Sequence, residues 1–191
     1  MGHTSGMPSS AASAPYTWDD FVALEDDDLR ELIDGELLEV EVPTDMHEHA
    51  VMRIGAALTV WSDAGHGGRV LGSGYRVRIS DRRGVMPDVQ LYRDGNRSSR
   101  EQQRGLVRGH PDLVVEVVSP SSQRYDRVKK LRWYAQLAVP EYWLVDPQAH
   151  TLERLVLRDG VYCIAASHAD EETFRPDAFD GLEIPLAKLW A

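Results

Sequence analysis

The sequence predicts an α/β (α+β) fold in which helices flank a central mixed β-sheet. Residues 111–119 read Pro-Asp-Leu-Val-Val-Glu-Val-Val-Ser, a nearly aliphatic run typical of a strand covered on both faces. Residues 51–61 carry apolar side chains at helical spacing. Asp-Gly pairs at 34–35 and 159–160 are strong hairpin signals. Strands, a crossover helix and further strands, in this order, predict the mixed sheet.

Cap and turn residues bound the predicted elements of the first half. These elements are a helix over 17–24, a hairpin over 29–42, a helix over 45–64, and strands over 70–79 and 88–92. Thr17 can cap the first helix. Asp45, with Glu48 three residues later, has the spacing of a capping box for the second helix. Pro43 ends the hairpin before it.

The second half is predicted to supply the central strand and a helix after it. The polar, Arg-rich segment 94–110 is expected to be a mobile loop. The elements expected after the central strand are a helix over 122–138, a strand over 141–145, a hairpin over 151–166 and an irregular tail over 174–190. The helix is apolar on more than one side, which indicates that it is buried.

Composition restricts the partners of this chain. It has 191 residues and a formal net charge of −10. A protein that grips nucleic acid by its phosphates usually has a basic surface. Here Arg and Lys are concentrated in residues 69–130, which is where a polyanion would bind. A solvated acidic surface that aids solubility is the alternative.

The same composition indicates location and domain organisation. No apolar run approaches the roughly 20 residues that span a bilayer. The single cysteine, Cys163, rules out an internal disulfide. We therefore expect a cytoplasmic protein with no membrane partner. Residues 1–15 are rich in Gly, Ser, Ala and Pro and are expected to be disordered, and residues 16–191 are expected to form one domain.

Glu116 is the residue of the aliphatic run that needs a physical explanation. Side chains alternate along a strand, so Glu116 shares a face with Val114 and Val118. An ionised carboxylate there would cost several kcal/mol in desolvation unless a cation, a metal or hydrogen-bond donors compensate it. A metal site at the end of the strand would be such a compensation.

A second acid opens the strand predicted before the loop. Asp88 follows Pro87, and neighbouring strands could place Asp88 and Glu116 around one divalent cation. Magnesium favours one or two carboxylates, completed by water and phosphate oxygens, and it activates water for attack on a phosphate. Lys129 and Lys130 could position that water. The alternative for Lys130 is an ordinary surface pair with the acid four residues before it.

Several motifs together make the chain resemble a known family. A Glu-Val-Val-Ser-Pro-Ser block at 116–121, followed by Pro-Glu-Tyr-Trp-Leu-Val-Asp at 140–146, is the most specific. The other matching residues are Glu31-Leu32-Ile33-Asp34-Gly35-Glu36, His47, Pro87-Asp88-Val89, Pro111 to Val115, Tyr125-Asp126-Arg127, Lys130 and Tyr134. With these motifs the chain resembles the Uma2 (DUF820) family of proposed endonucleases over about residues 18–157. The resemblance implies a restriction-endonuclease-like PD-(D/E)XK core.

The resemblance also implies a site. Asp88 and Glu116 would bind Mg²⁺ or Mn²⁺ together with the backbone carbonyl of Val117. The superfamily motif places a lysine two residues after the acid, where this chain has Val118; Lys130 from the next helix is the match that substitutes. The residues that match an outer part of the site are Glu36, His47 and Asp126.

The sequence therefore predicts a metal-dependent endonuclease that hydrolyses phosphodiester bonds in DNA, acting as a homodimer. A non-catalytic dimeric interaction or regulatory module that kept the nuclease fold is the alternative, and the acidic surface and displaced lysine favour it. A zinc site from Glu36, His47 and His49 is weaker, because it lacks a third soft ligand.

Overall fold

Strand pairing and helix packing organise the chain around a central sheet and a smaller one. The computed structural model describes residues 14–25, 27–40, 42–96, 99–100, 107–119 and 124–191. The helices are α1 (Trp18–Val22), α2 (Asp45–Trp61) and α3 (Leu131–Gln136), with π-helical turns at Ser62–His66 and Tyr125–Lys130 and a 3₁₀ turn at Leu186–Lys188. The strands are β1 (Glu31–Ile33), β2 (Glu36–Leu38), β3 (Arg69–Gly72), β4 (Val77–Ser80), β5 (Arg83–Val85), β6 (Val89–Tyr92), β7 (Ser99–Arg100), β8 (Val107–Arg108), β9 (Leu113–Val117), β10 (Glu141–Asp146), β11 (Thr151–Arg158), β12 (Val161–Ala169), β13 (Thr173–Phe174) and β14 (Ile184–Pro185).

The central sheet is mixed, which confirms the predicted fold class. In the described part of the chain, its strands lie in the order β12-β11-β10-β9-β6-β3. β9 and β10 run parallel, and the other neighbours run antiparallel. Parallel neighbours need a crossover connection, and the segment that contains α3 supplies it. A smaller sheet has the order β2-β1-β5-β4.

Helices cover both faces of the central sheet because β9 is apolar on both sides. Val115 and Val117 pack in the cluster that contains the apolar stripe of α2. Val114 and Val118 pack in the cluster that contains the buried residues of α3. The predicted stripe of α2 is buried at Val51, Ile54, Leu58 and Trp61. Glu116 therefore belongs to the α3 face, as its alternation with Val114 and Val118 predicts.

Both Asp-Gly turns are confirmed as hairpin turns. Asp34 and Gly35 have φ values of 54° and 90°, and Asp159 and Gly160 have 50° and 80°. Positive φ at both central residues is what a type I′ turn requires. The first turn joins β1 to β2, and the second joins β11 to β12.

α1 fixes the position of the first hairpin. Thr17 and Asp20 form the predicted cap, here as a capping box. The Phe21 ring packs so closely on Gly84 of β5 that a Cβ added there would lie 2.7 Å from the ring. Leu32 of β1 pairs with Gly84. The α1 contact therefore holds β1, the strand that begins with Glu31.

The predicted cap of α2 was wrong, and its predicted end at Gly65 is confirmed. Thr44, not Asp45, caps α2, because the N–H of His47 donates to the Thr44 hydroxyl at 3.2 Å. After Trp61 the helix continues as the π-helical turn, and Gly65 within that turn leaves the helical region with a φ of 106°. Among the described residues, no helix has the length and apolar content needed to cross a bilayer.

Three predicted segments fall partly outside the described residues. Of residues 1–15, for which disorder is expected, the structure describes only residues 14 and 15. The expected loop at 94–110 contains β7 paired with β8, and residues 97–98 and 101–106 lie outside the description. The crossover helix is described from residue 124 onward.

Candidate active site

A cavity of about 510 Å³ opens at the carboxyl end of β9. Its walls come from the β1–β2 hairpin, the start of α2, the residue before β6 and the π-helical turn that precedes α3. The sequence-predicted site residues that line it are His47, Asp88, Glu116, Val117, Asp126 and Lys130. The fold thus gathers acids and a lysine that are far apart in the sequence.

Glu116 is buried in this site, with 2% of its surface exposed. Its carboxylate accepts hydrogen bonds from Lys130 Nζ at 3.0 Å and from the Tyr134 hydroxyl at 2.5 Å. Desolvation raises the pKa of Glu116, and the positive charge of Lys130 lowers it. The nearby acids, chiefly Asp126 and Asp88, raise it further, so the pKa of Glu116 lies well above its usual value. The compensation that the buried carboxylate requires comes from a lysine and a tyrosine of the protein itself.

Lys130 lies at the centre of the buried charges. Its Nζ is 3.0 Å from Glu116, 3.4 Å from Asp126 Oδ1 and 3.5 Å from Glu31 Oε1. Burial lowers the pKa of Lys130, but these carboxylates outweigh burial and raise the pKa well above its usual value. The lysine is therefore charged at neutral pH. Lys130 does pair with Asp126, four residues before it, but both side chains are buried. The alternative of an ordinary surface pair is therefore wrong.

The π-helical turn before α3 places these groups. π-Helical turns are wider than α-helical ones and frequently occur at functional sites. In this turn, Asp126 and Lys130 are buried. Lys130 Nζ lies 5.3 Å from the centre of the Tyr125 ring, and the Tyr125 hydroxyl donates to Glu31 Oε2 at 3.0 Å. The turn thus connects the lysine to the first hairpin.

Glu31 and Tyr134 belong to the site, although sequence reasoning did not assign them to it. Glu31 opens a strand that is buried at all three positions, so no alternation indicated where its side chain points. Its carboxylate accepts the N–H of Met86 at 2.9 Å. Tyr134 was assigned to the core, where it does lie. The sequence offered one indication of its role, because the hydroxyl of a buried tyrosine usually needs a hydrogen-bond partner. That partner is Glu116.

Asp88 joins the two strands that the sequence predicted to be neighbours. Its Oδ2 accepts the N–H of Val117 at 2.7 Å. This contact follows from the pairing of β6 with β9, in which Val89 lies opposite Val115. The family resemblance implies a role for the carbonyl of Val117, whereas the contact with Asp88 uses its amide. The role of the carbonyl stays a prediction.

His47 lies against Asp88 in the first turn of α2. Its Nε2 is 3.4 Å from Asp88 Oδ2, and its Nδ1 is 3.5 Å from Glu48 Oε1. Nδ1 is buried and has no hydrogen-bond partner among the described residues. Burial lowers the pKa of His47, but the carboxylates of Asp88 and Glu48 together outweigh burial, and the pKa is raised.

In metal-free protein, we expect His47 to titrate above its usual pKa of 6.5. A pKa raised by folding contributes stability that is complete below 6.5 and lost as pH rises through the folded value. Asp88→Asn should lower the pKa of His47, because the strongest raising contact is removed. NMR titration of the histidine ring in the presence of a chelator measures this. An unchanged His47 titration in Asp88→Asn would contradict the described contact.

Glu36 does not join the site. It is exposed at the turn end of the hairpin and does not line the cavity, so the structure does not support its predicted place in the outer part. Nε2 of His49 lies 3.0 Å from the carbonyl of Lys188 instead of facing His47. The three residues considered for zinc therefore do not converge.

The donor set fits a hard divalent cation held by few protein ligands. No group of three or more His, Cys, Asp or Glu side chains in the described residues is arranged to hold a metal. Magnesium does not need such a group, because water and substrate oxygens complete its shell. Asp88 and Glu116 line the same cavity and supply carboxylate oxygens. The residues thus fit Mg²⁺ or Mn²⁺ in donor type and charge.

The fold and the site together define a class of protein. A mixed sheet flanked by helices, with acids and a lysine at the end of an inner strand, is a restriction-endonuclease-like α+β domain. The chain belongs to the Uma2 family, because the family model described as "Putative restriction endonuclease" matches residues 18–187. This family assignment supports a nuclease role.

A solved structure shows the same fold. It is described as the crystal structure of "a putative nuclease belonging to DUF820 from Anabaena variabilis ATCC 29413" and matches with a TM-score of 0.73. The match covers 92% of this chain and 98% of that chain at 18% sequence identity. No functionally curated protein matches.

Proposed function

We propose that this protein is a metal-dependent endonuclease that hydrolyses phosphodiester bonds in DNA. One observation carries the proposal: the buried ammonium of Lys130 lies among the carboxylates of Glu31, Glu116 and Asp126, in a cavity shared with Asp88. Membership of the Uma2 family supports the nuclease class. The cavity supports the chemistry, because it combines oxygen ligands with a fixed positive charge.

Asp88, Glu116 and the backbone carbonyl of Val117 would hold Mg²⁺ or Mn²⁺. The bound ion would lower the pKa of a water ligand and offset negative charge on the phosphate. The charge balance of the cavity supports a cation there. Carboxylates outnumber the ammonium of Lys130, so a phosphodiester that entered without further positive charge would be repelled.

The side chains of the chain have separate tasks in this proposal. Lys130 orients the attacking water and neutralises charge that develops on the phosphate oxygens. Glu31 and Asp126 hold the lysine from two sides, which limits the movement of its Nζ. Tyr134 holds one oxygen of Glu116, and His47 contacts Asp88. Fixed donors of this kind lower the reorganisation that the reaction requires.

Metal binding should raise the melting temperature of the protein. A ligand at 100 times its Kd stabilises the folded state by about 2.7 kcal/mol, which is a shift of roughly 5–10 °C in a domain of this size. Differential scanning fluorimetry with MnCl₂ or MgCl₂ measures the shift. Asp88→Asn should reduce it, because a ligand charge is lost. The exposed Asp180→Asn is the matched control and should keep it.

A non-catalytic interaction or regulatory module is the second candidate. The observation that favours it is that Lys130 and Tyr134 already satisfy Glu116. The two candidates differ when purified protein is incubated with supercoiled plasmid and Mg²⁺ or Mn²⁺. A nuclease nicks or linearises the plasmid until a chelator is added. Unchanged plasmid, with or without a thermal shift, would favour the module.

A further inference from the structure

β12 is a long, uncharged strand at an edge of the central sheet. It spans Val161–Ala169 and, in the described part of the chain, pairs on one side with β11. Its sequence, Val-Tyr-Cys-Ile-Ala-Ala-Ser-His-Ala, contains no Asp, Glu, Lys, Arg or Pro. Val161 and Ile164 are 60% and 61% exposed. Soluble proteins usually protect edge strands with charges, proline or short length, because the free backbone groups pair with other chains.

The other edges of the central sheet and of the smaller, four-stranded sheet are protected. β3, the opposite edge of the central sheet, has four residues and starts with Arg69. In the smaller sheet, the edge strand β2 has three residues and starts with Glu36. Its other edge, β4, has four residues and contains Arg78. β12 is therefore the exception, being both the longest of these edges and free of formal charge apart from any protonated histidine.

We propose that β12 pairs antiparallel with β12 of a second copy of this chain, so that the central sheet continues across a twofold axis. An antiparallel edge is complementary to itself under twofold rotation, because a residue of one copy that pairs with a second residue of the other copy is matched by the reverse pair. Two copies with a net charge of −10 repel each other. The repulsion between them is weakest where the facing surfaces carry no charged side chains, and β12 is such a surface.

The hairpin turn indicates which backbone groups of β12 are available for this pairing. A type I′ turn is closed by a hydrogen-bonded pair, here Arg158 with Val161. The backbone groups of Val161 and Cys163 therefore point to β11, and those of Tyr162 and Ile164 point outward. The irregularity in the β11–β12 register comes only after Ile164, between Arg154 and Leu155 of the partner strand.

The proposed register pairs the outward groups of Tyr162 with those of Ile164 from the second copy, which places the two Cys163 residues opposite each other. They form a non-hydrogen-bonded pair, in which the Cα atoms lie about 4.5 Å apart. This distance is within the range that a disulfide bond needs. No described residue of β12 lines the cavity. The pairing edge is therefore separate from the cavity, and the proposal does not depend on the proposed nuclease activity.

The first test measures the oligomeric state by light scattering or sedimentation over a range of protein concentrations. Pairing of one strand buries an area at the low end for specific interfaces, so we expect a reversible dimer. Ile164→Lys should raise the dissociation constant at least tenfold, because each copy would bring a positive charge to the pairing edge. Val60→Lys, at a 71% exposed position on α2, is the matched control and should dimerise like the unchanged chain.

A monomeric unchanged chain at all concentrations would overturn the proposal, as would an unchanged dissociation constant in Ile164→Lys. Circular dichroism melting checks that each variant is folded, and Cys163→Lys is the second variant if the first is not. Because Ile164 is exposed, its replacement removes little buried surface.

The second test uses Cys163, the only cysteine of the chain. Diamide takes two electrons and two protons from two thiols and joins them as a disulfide. The unchanged chain should form a covalent dimer, seen on a non-reducing gel, at least tenfold faster than a Cys163→Ser chain that carries Val60→Cys. Equal rates would mean that the thiols meet only by random collision, and the proposed pairing would be wrong.

Discussion

Glu116→Gln is expected to reduce Mg²⁺-dependent cleavage of DNA by at least about a hundredfold, the loss typical for one preorganised charged or polar group at a reacting centre. The amide has nearly the shape of the carboxylate but carries no charge to bind a cation. It can still accept a hydrogen bond from Lys130, and the Tyr134 hydroxyl can turn to accept one from the amide nitrogen. Plasmid nicking with Mg²⁺ or Mn²⁺, and with a chelator as blank, measures the loss.

The same substitution should leave the protein folded. Burial raises the pKa of Glu116, so the neutral carboxyl is more favoured in the folded protein than in the unfolded chain. A group whose pKa is raised by folding contributes stability that is complete at pH values below its pKa in the unfolded chain. This contribution is lost as pH rises through its pKa in the folded protein. Metal-free Glu116→Gln should therefore gain stability relative to the unchanged chain as pH rises from acid to neutral. At neutral pH we expect a melting temperature within about 4 °C of that chain.

Glu171→Gln makes the same chemical change at an exposed position outside the cavity and is the control. It should keep full cleavage activity. Cleavage that persists in Glu116→Gln at the level of this control would remove the basis of the proposed function. Lost cleavage together with a collapsed melting temperature would point to a structural role of Glu116 instead.

The fold was largely predictable because its signals are local. The hydrophobic runs of β9 and α2 indicate their elements by periods of two and 3.6 residues. The Asp34-Gly35 pair indicates a type I′ turn because few other residues tolerate positive φ at both positions. The cap of α2 was misassigned, since Thr44 and Asp45 are both good cap residues and only backbone geometry distinguishes them.

The site was predictable only in part, because its contacts join distant segments. Glu116 could be identified from its apolar neighbours, but its partner Tyr134 could not be told from an ordinary core residue. Of the two acids that flank the first turn, Glu36 was chosen and Glu31 is the one that reaches Lys130. Glu36 pairs with Ile33 and so shares a face with Glu31, but it lies at the turn end of the hairpin, away from Lys130. Which end of the hairpin reaches the site depends on contacts with distant segments, which a three-residue strand does not reveal.

Lys130→Met is expected to lower the free energy of unfolding by about 3–5 kcal/mol at neutral pH, the range found when one partner of a buried ion pair is removed. Methionine replaces the stem of the lysine, so little packing is lost. The carboxylates of Glu31, Glu116 and Asp126 would be left without their buried cation. Urea unfolding followed by circular dichroism measures the change. Lys129→Met, on the same turn but exposed, is the matched control and should change stability by less than about 0.5 kcal/mol.

The charge origin of this loss can be separated from packing in two ways. Lowering the pH protonates the remaining carboxylates, so the deficit of Lys130→Met relative to the unchanged chain should shrink towards acid pH. Adding Glu116→Gln should also recover stability, because one unpaired carboxylate is removed; we expect the two changes to be non-additive by about 0.5–3 kcal/mol. A deficit that is independent of pH and strictly additive would mean that Lys130 acts through packing. In that case the buried charges would not be coupled as their distances indicate, and Lys130 would be a poor candidate for the group that stabilises charge on a phosphate.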